Sequence, residues 1–245
     1  MQYTIKIRGQ SQTKVGTLAT LRGVEGRDFK FIRSRHSLLD KKEVVVTARL
    51  RFEAPSWNQI YNMLLDLADR IRKDEFNPNT IVGISRGGWP PARVLSDLLS
   101  NPNVANVRAE FYLGIAERKN EPTLTQPVSV KIAGKRILVV DEVADTGKSL
   151  KMVREHILRE GAKEVRSVTV YYKPWSVVRP DYYAKETKDW IVFPWEIKET
   201  IRKLVARCKE NGEPIQRERR KLIRAGIPSE LVRRFLKEIS EEDKC

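Results

Sequence analysis

The run Ile137-Leu138-Val139-Val140-Asp141-Glu142-Val143-Ala144-Asp145-Thr146-Gly147-Lys148-Ser149-Leu150 limits what this chain can become more than any other part of it. Four apolar residues in succession predict a central strand covered on both faces. Two acids sit where that strand ends. A short turn then passes through Gly147 into a helix over about 148–160, which Gly161 terminates. The arrangement is an anion cradle. Gly147 lets the backbone approach a phosphate, the helix N-terminus supplies N–H groups, and Thr146 and Ser149 add hydroxyls. Asp141 and Glu142 would repel that phosphate, so they suit sugar hydroxyls or a hydrated cation. Phosphate donors beside hydroxyl acceptors describe a site for a ribose 5-phosphate. A Walker loop would need glycine at 142, where glutamate stands. An acidic surface turn is the bland alternative, but acids directly behind a buried strand rarely serve packing.

Elsewhere the pattern alternates between strand and helix. Ser56 reads as an N-cap for a helix over 57–73, with Ile60, Leu64, Leu67 and Ile71 on one face. Thr80 to Ile84 reads as a buried strand, Ser85-Arg86-Gly87-Gly88 as a turn, and Pro90-Pro91 as the opening of a helix to Leu99. Further strands are expected over 108–115, 165–172 and 190–193. Residues 116–130 and 173–189 read as long connections, and 198–210, 216–225 and 229–240 as helices. Two alternating stretches, Tyr3 to Ile7 and Val44 to Phe52, read as short strands. The fold class expected is α/β, a parallel sheet flanked by helices with a helical C-terminal extension. Ligands on such sheets bind at the carboxyl ends of the strands, where Ser85–Gly88 and Asp141–Ser149 both fall.

Composition narrows the function. The chain has 245 residues, 40% hydrophobic and 32% charged, enough for a substantial core. No apolar run approaches the roughly 20 residues of a membrane-spanning helix, and Met1–Gln10 lacks a signal peptide's apolar region. Two cysteines, Cys208 and Cys245, form neither a disulfide framework nor a CxxC pair. A soluble cytoplasmic protein without membrane partners is expected. The net charge of +15 invites a nucleic-acid reading, but its distribution argues against one. Residues 1–50 carry 11 basic and 4 acidic side chains and 198–245 carry 14 and 9, whereas the patterned middle carries 22 and 19. His36 and His156 are too isolated for a metal pair, and His156 reads as an ordinary exposed helix residue.

The 137–150 run resembles the phosphoribosyl-pyrophosphate (PRPP) signature of the type I phosphoribosyltransferases: apolar strand, two acids, two apolar residues, then Asp-Thr-Gly-x-Thr/Ser. Every position fits. The resemblance implies that Asp141 and Glu142 bind the ribose hydroxyls and Mg2+, Glu142 being the nearer to the metal. It implies that Asp145, Thr146, Gly147, Lys148 and Ser149 hold the 5′-phosphate, and that Asp145 is the catalytic, proton-handling carboxylate near N7 of a purine. Ser85, Arg86, Gly87 and Gly88 resemble the family's pyrophosphate loop, which also lies upstream of the signature. Residues 116–130 would be the catalytic flap, with Arg118 its pyrophosphate contact and Lys119 the competitor. Lys173-Pro174-Trp175 and Trp190 to Glu196 resemble the base-recognition segments of the xanthine/guanine/hypoxanthine branch. Lys173 would donate to O6, Trp190 would stack on the ring, the Ile191 backbone would meet the base edge, and Glu196 would accept from N2 or a neighbouring N–H. That branch usually has Asp at the last position, which puts guanine preference in question. The bland alternative makes Trp190 and Trp195 core aromatics and Lys173 a solvated cation.

The resemblance covers about 53–197 and implies a purine phosphoribosyltransferase, with PRPP, a 6-oxopurine and Mg2+ as its small molecules and a homodimer as its usual assembly. Domains are expected at 51–197, with extensions at 1–50 and 198–245. Residues 1–50 are either a small basic β appendage or an over-long reading frame whose true start lies near Leu50. The Arg-rich C-terminal segment, with Ala225-Gly226-Ile227-Pro228-Ser229 between two helices, has a helix-turn-helix flavour or is an ordinary helical extension. The rival function is a PRPP-sensing regulator that binds nucleic acid through its basic flanks. A different base, adenine or a pyrimidine, is a third possibility. Lys173 disfavours adenine, whose exocyclic amine cannot accept from it.

Overall fold

The computed structural model describes residues 51–113 and 118–243. The strands read at Tyr3 to Ile7 and over 44–50 lie outside the described residues, as do His36 and Cys245. From Phe52 onward the chain forms one compact unit. Its centre is a six-stranded sheet in the order β4-β3-β2-β5-β6-β7. The strands are β2 (Thr80–Ser85), β3 (Val104–Leu113), β4 (Arg118–Gln126), β5 (Arg136–Ala144), β6 (Glu164–Tyr172) and β7 (Tyr182–Glu186). All pairings are parallel except β3 with β4. A separate two-stranded sheet joins β1 (Phe52–Glu53) to β8 (Trp190–Ile191).

Period-two alternation of the central strands divides the core into two layers. Ile81, Leu138 and Val140 face α1 (Trp57–Lys73) and α2 (Trp89–Leu98). Val82, Ile137 and Val139 face α3 (Lys148–Arg159). Ser56 starts α1 with the expected capping box: its hydroxyl accepts the Gln59 N–H and the Gln59 side chain accepts the Ser56 N–H. His156 is buried rather than exposed. It shares the inner face of α3 with Leu150, Val153 and Ile157, one turn beyond Val153.

Two expected connections contain strands. Most of 116–130 is β4, an edge strand whose Leu124 packs against the α3-side core. Its edge position tolerates Pro122, which cannot donate to a ladder. The 173–189 connection contains β7, which closes the opposite edge. Three helices follow, α4 (Ile197–Glu210), α5 (Gln216–Arg224) and α6 (Ser229–Glu242). They bury Ile201, Leu204, Leu222, Val232 and Ile239 together with Val192, and Phe52 packs against the same cluster. No helix among the described residues is long and apolar enough to cross a membrane.

Candidate active site

Strand order reverses between β2 and β5. The chain leaves β2 for β3 on one side and β5 for β6 on the other, so the loops after β2 and β5 diverge and leave a crevice at the carboxyl ends. Pairing of β2 with β5 stops at Gly83 opposite Val140, while β5 continues along β6 to Ala144 opposite Tyr172. Asp141 and Glu142 therefore lie within the strand rather than after it. They have a neighbour on the β6 side and face the Ser85–Gly88 turn on the other.

That turn and the two acids are brought together. A side chain on Gly87 would stand 2.0 Å from a Glu142 carboxylate oxygen, and one on Gly88 would stand 2.5 Å from the Val140 carbonyl. Backbone contact requires glycine at 88, whereas at 87 a side chain would have to displace the Glu142 carboxylate. The Ser85–Arg86 peptide bond is cis. The Gly88 N–H donates to the Ile84 carbonyl at 2.9 Å, and the Ser85 hydroxyl accepts from Asn106 at 3.3 Å. The Arg86 guanidinium reaches across to Glu199 at 2.8 Å, and Glu199 also meets Lys203 at 2.8 Å.

The acids crowd one another. Burial pushes Asp141 above the usual carboxylate range. Burial and the charge of Asp141 push Glu142 well above it. The Glu142 N–H donates to Asp141 Oδ1 at 3.0 Å, and Glu142 Oε2 is buried without a hydrogen-bond partner. Glu196, at the start of α4, accepts from the Phe193 N–H at 3.5 Å. Burial first, and then the charge of Glu142, push it up to about 7. Three carboxyls thus converge where negative charge is disfavoured.

Beyond β5 the chain turns through Asp145 and Thr146 to Gly147, whose φ of +75° is a left-handed conformation. Gly147 is the N-cap of α3 and has no side chain to cap it. Thr146 Oγ1 accepts the Lys148 N–H at 3.4 Å, and Ser149 follows on the same turn. Lys148 Nζ meets Glu121 of β4 at 2.6 Å. Arg118 opens β4, its backbone opposite Leu113.

The 173–178 segment lies against this cradle. The Lys173 N–H donates to Ala144 O at 3.1 Å, and the Val177 N–H to Thr146 O at 2.9 Å. A side chain on Gly147 would stand 2.2 Å from Ser176 Oγ. Lys173 is 5% exposed, so it is no solvated cation. Its ammonium donates to the Asp189 carbonyl, next to Trp190, and stands 5.5 Å from the Trp175 ring centroid. Trp190 is exposed, so it is no core aromatic, and the adjacent Ile191 is buried. Trp195 instead stacks on Phe193, with centroids 4.9 Å apart. Two contacts go beyond what the sequence reading assigned: Glu199 on Arg86, and the Trp175 indole N–H on Asp145 Oδ1 at 3.2 Å. Trp175 could have been found, since an indole donor stands in the quoted Lys-Pro-Trp segment. Glu199 could not, because 113 residues separate it from Arg86.

Known proteins resemble this chain in sequence and fold. The family described as a phosphoribosyl transferase domain matches residues 56–201. The chain is 31% identical to the xanthine-guanine phosphoribosyltransferase of Idiomarina loihiensis over 144 residues, which is 58% of this chain and 85% of that protein. It is also 31% identical to the enzyme of the same name from Cereibacter sphaeroides over 151 residues, again 58% of this chain and 85% of that protein. The crystal structure of a purine phosphoribosyltransferase from Pyrococcus horikoshii superposes with a TM-score of 0.54 at 36% identity, covering 60% of this chain and 94% of that one. The chain belongs to the phosphoribosyl transferase domain family, within the branch that these purine enzymes occupy.

Proposed function

We propose that this protein transfers the 5-phosphoribosyl group of PRPP to N9 of a 6-oxopurine and releases pyrophosphate, a reaction of purine salvage. The observation that carries the reading is the convergence of three parts on one crevice: the glycine turn abutting Glu142, the phosphate cradle, and the buried Lys173 docked against that cradle. A sensor of PRPP has no use for the third part, so the regulator reading is disfavoured.

The roles follow from chemistry. The first turn of α3, with Thr146, Gly147, Lys148 and Ser149, takes the 5′-phosphate. Asp141 and Glu142 accept from the ribose hydroxyls. The same pair fits Mg2+: two adjacent buried carboxyls, one oxygen of Glu142 lacking any partner, are short of positive charge. Among the described residues no group of three or more His, Cys, Asp and Glu side chains is arranged to hold a metal. That suits a cation held by one or two carboxylates together with substrate oxygens. When bound, Mg2+ neutralises charge developing on the pyrophosphate.

Departure of pyrophosphate leaves an oxocarbenium-like C1 and a leaving group that gains negative charge. Arg86, on its glycine turn, stabilises that charge, with Ser85, Gly87 and Gly88 shaping the loop and Arg118 contributing from β4. Asp145 takes the proton that the purine loses as its nitrogen attacks. Lys173 donates to O6, Trp190 stacks on the ring, and the Ile191 backbone and Glu196 meet its edge. We place the transferase domain at 51–197 and treat 1–50 and 198–245 as extensions. A cytoplasmic homodimer is the assembly proposed.

The test is pyrophosphate release with PRPP, Mg2+ and each nucleobase in turn. Turnover is expected with at least one 6-oxopurine, lowered roughly 10²- to 10⁴-fold by Asp145→Asn to a residual rate that is still measurable, and weakened by Lys173→Ala. Saturable PRPP binding without release for any base would reject the enzyme reading.

A further inference from the structure

Asp145 is the least sheltered of the acids at the crevice. It is exposed and lies in a turn between β5 and α3. A carboxylate in such a place samples several rotamers, whereas proton transfer requires one. The structure supplies a constraint. Trp175 donates its indole N–H to Asp145 Oδ1 at 3.2 Å.

The donor is itself anchored on both sides of its target. The Lys173 N–H bonds the carbonyl of residue 144, and the Val177 N–H bonds the carbonyl of residue 146. Between these anchors the Ser176 N–H closes a tight turn onto Lys173 O at 3.0 Å, and the Ser176 hydroxyl donates to Val178 O at 2.8 Å. Two backbone bonds thus straddle residue 145 and present the ring of residue 175 to it. The ring also faces the Lys173 ammonium, 5.5 Å from its centroid, a cation–π distance.

We infer that Trp175 is a positioning residue. Its N–H fixes Asp145 Oδ1 and leaves Oδ2 to accept the purine proton, while its ring steadies Lys173. The proton acceptor and the carbonyl donor for the base are thereby held as one unit. The inference rests on the purine-transferase reading, in which Asp145 and Lys173 are the groups that touch the base.

The test is a double-mutant cycle on pyrophosphate release in the full chain. Trp175→Phe keeps the ring over Lys173 and removes only the N–H. It is expected to lower kcat about 10- to 100-fold, the range of a hydrogen bond to a charged group, with KM for base and for PRPP nearly unchanged. In the Asp145→Asn background the same substitution is expected to lower kcat no further, because the group through which Trp175 acts is already gone. Wild-type kcat in Trp175→Phe would overturn the inference. So would an equal loss in both backgrounds, which marks a merely structural role. Failure of the underlying reading looks different: no turnover of any 6-oxopurine by the wild-type chain, or full turnover by Asp145→Asn.

Discussion

Glu196 shows what one residue contributes when its neighbours share its sign. Burial and the charge of Glu142 raise its carboxyl from 4.5 to about 7. The folded state therefore holds this proton more tightly than the unfolded chain does. Stability from this group is fully present below about pH 4.5 and is lost as pH rises through about 7. Glu196→Gln removes that titration. Thermal unfolding of the ligand-free protein is expected to show the variant gaining on wild type between pH 4.5 and pH 8. Parallel melting curves across that range would mean that Glu196 does not carry the strain assigned to it. Such a residue can be named from its motif, but its electrostatic state cannot, because Glu142 lies 54 positions away in the chain and only folding brings the two charges close.

At the scale of elements, the C-terminal helices make the clearest prediction. Leu222 of α5 is 1% exposed and shares a cluster with Val192, which follows β8 directly. Leu222→Ala should cost roughly 2–5 kcal/mol of unfolding free energy, read by denaturant titration, with kcat intact. A cost near zero would show that α4–α6 do not contribute to the stability of the transferase unit. Which elements were legible follows from the same physics. The long helix α1 is plain in the sequence because its buried residues recur at helical spacing, and the central strands β2 and β5 because each holds a continuous run of buried residues. β4 and β7 were not. Both are edge strands, polar on their exposed face, and β4 contains Pro122. The acids at 141 and 142 look like the end of a strand, which would stop β5 at Val140. Pairing with β6 overrides that signal and carries the ladder to Ala144. The cradle and the glycine turn were legible because each is local. Their contact with one another belongs to the reversal of strand order.

For the whole molecule, the family segment 56–201 leaves sequence on both sides unaccounted for. A chain beginning at residue 51 is expected to retain pyrophosphate release, since every residue assigned to the reaction lies between Ser85 and Glu196. Loss of turnover in a folded protein of that length would give residues 1–50 a part in the chemistry. The docking of 173–178 onto the cradle bears on how such enzymes diverge. Val177 bonds Thr146, and Ser176 stands where a side chain on Gly147 would go. Base selection and phosphate binding therefore share a wall. A base-recognition loop grafted in from a relative would arrive with the wrong wall for this cradle, and exchange of specificity would succeed only when residues 144–149 travel with it.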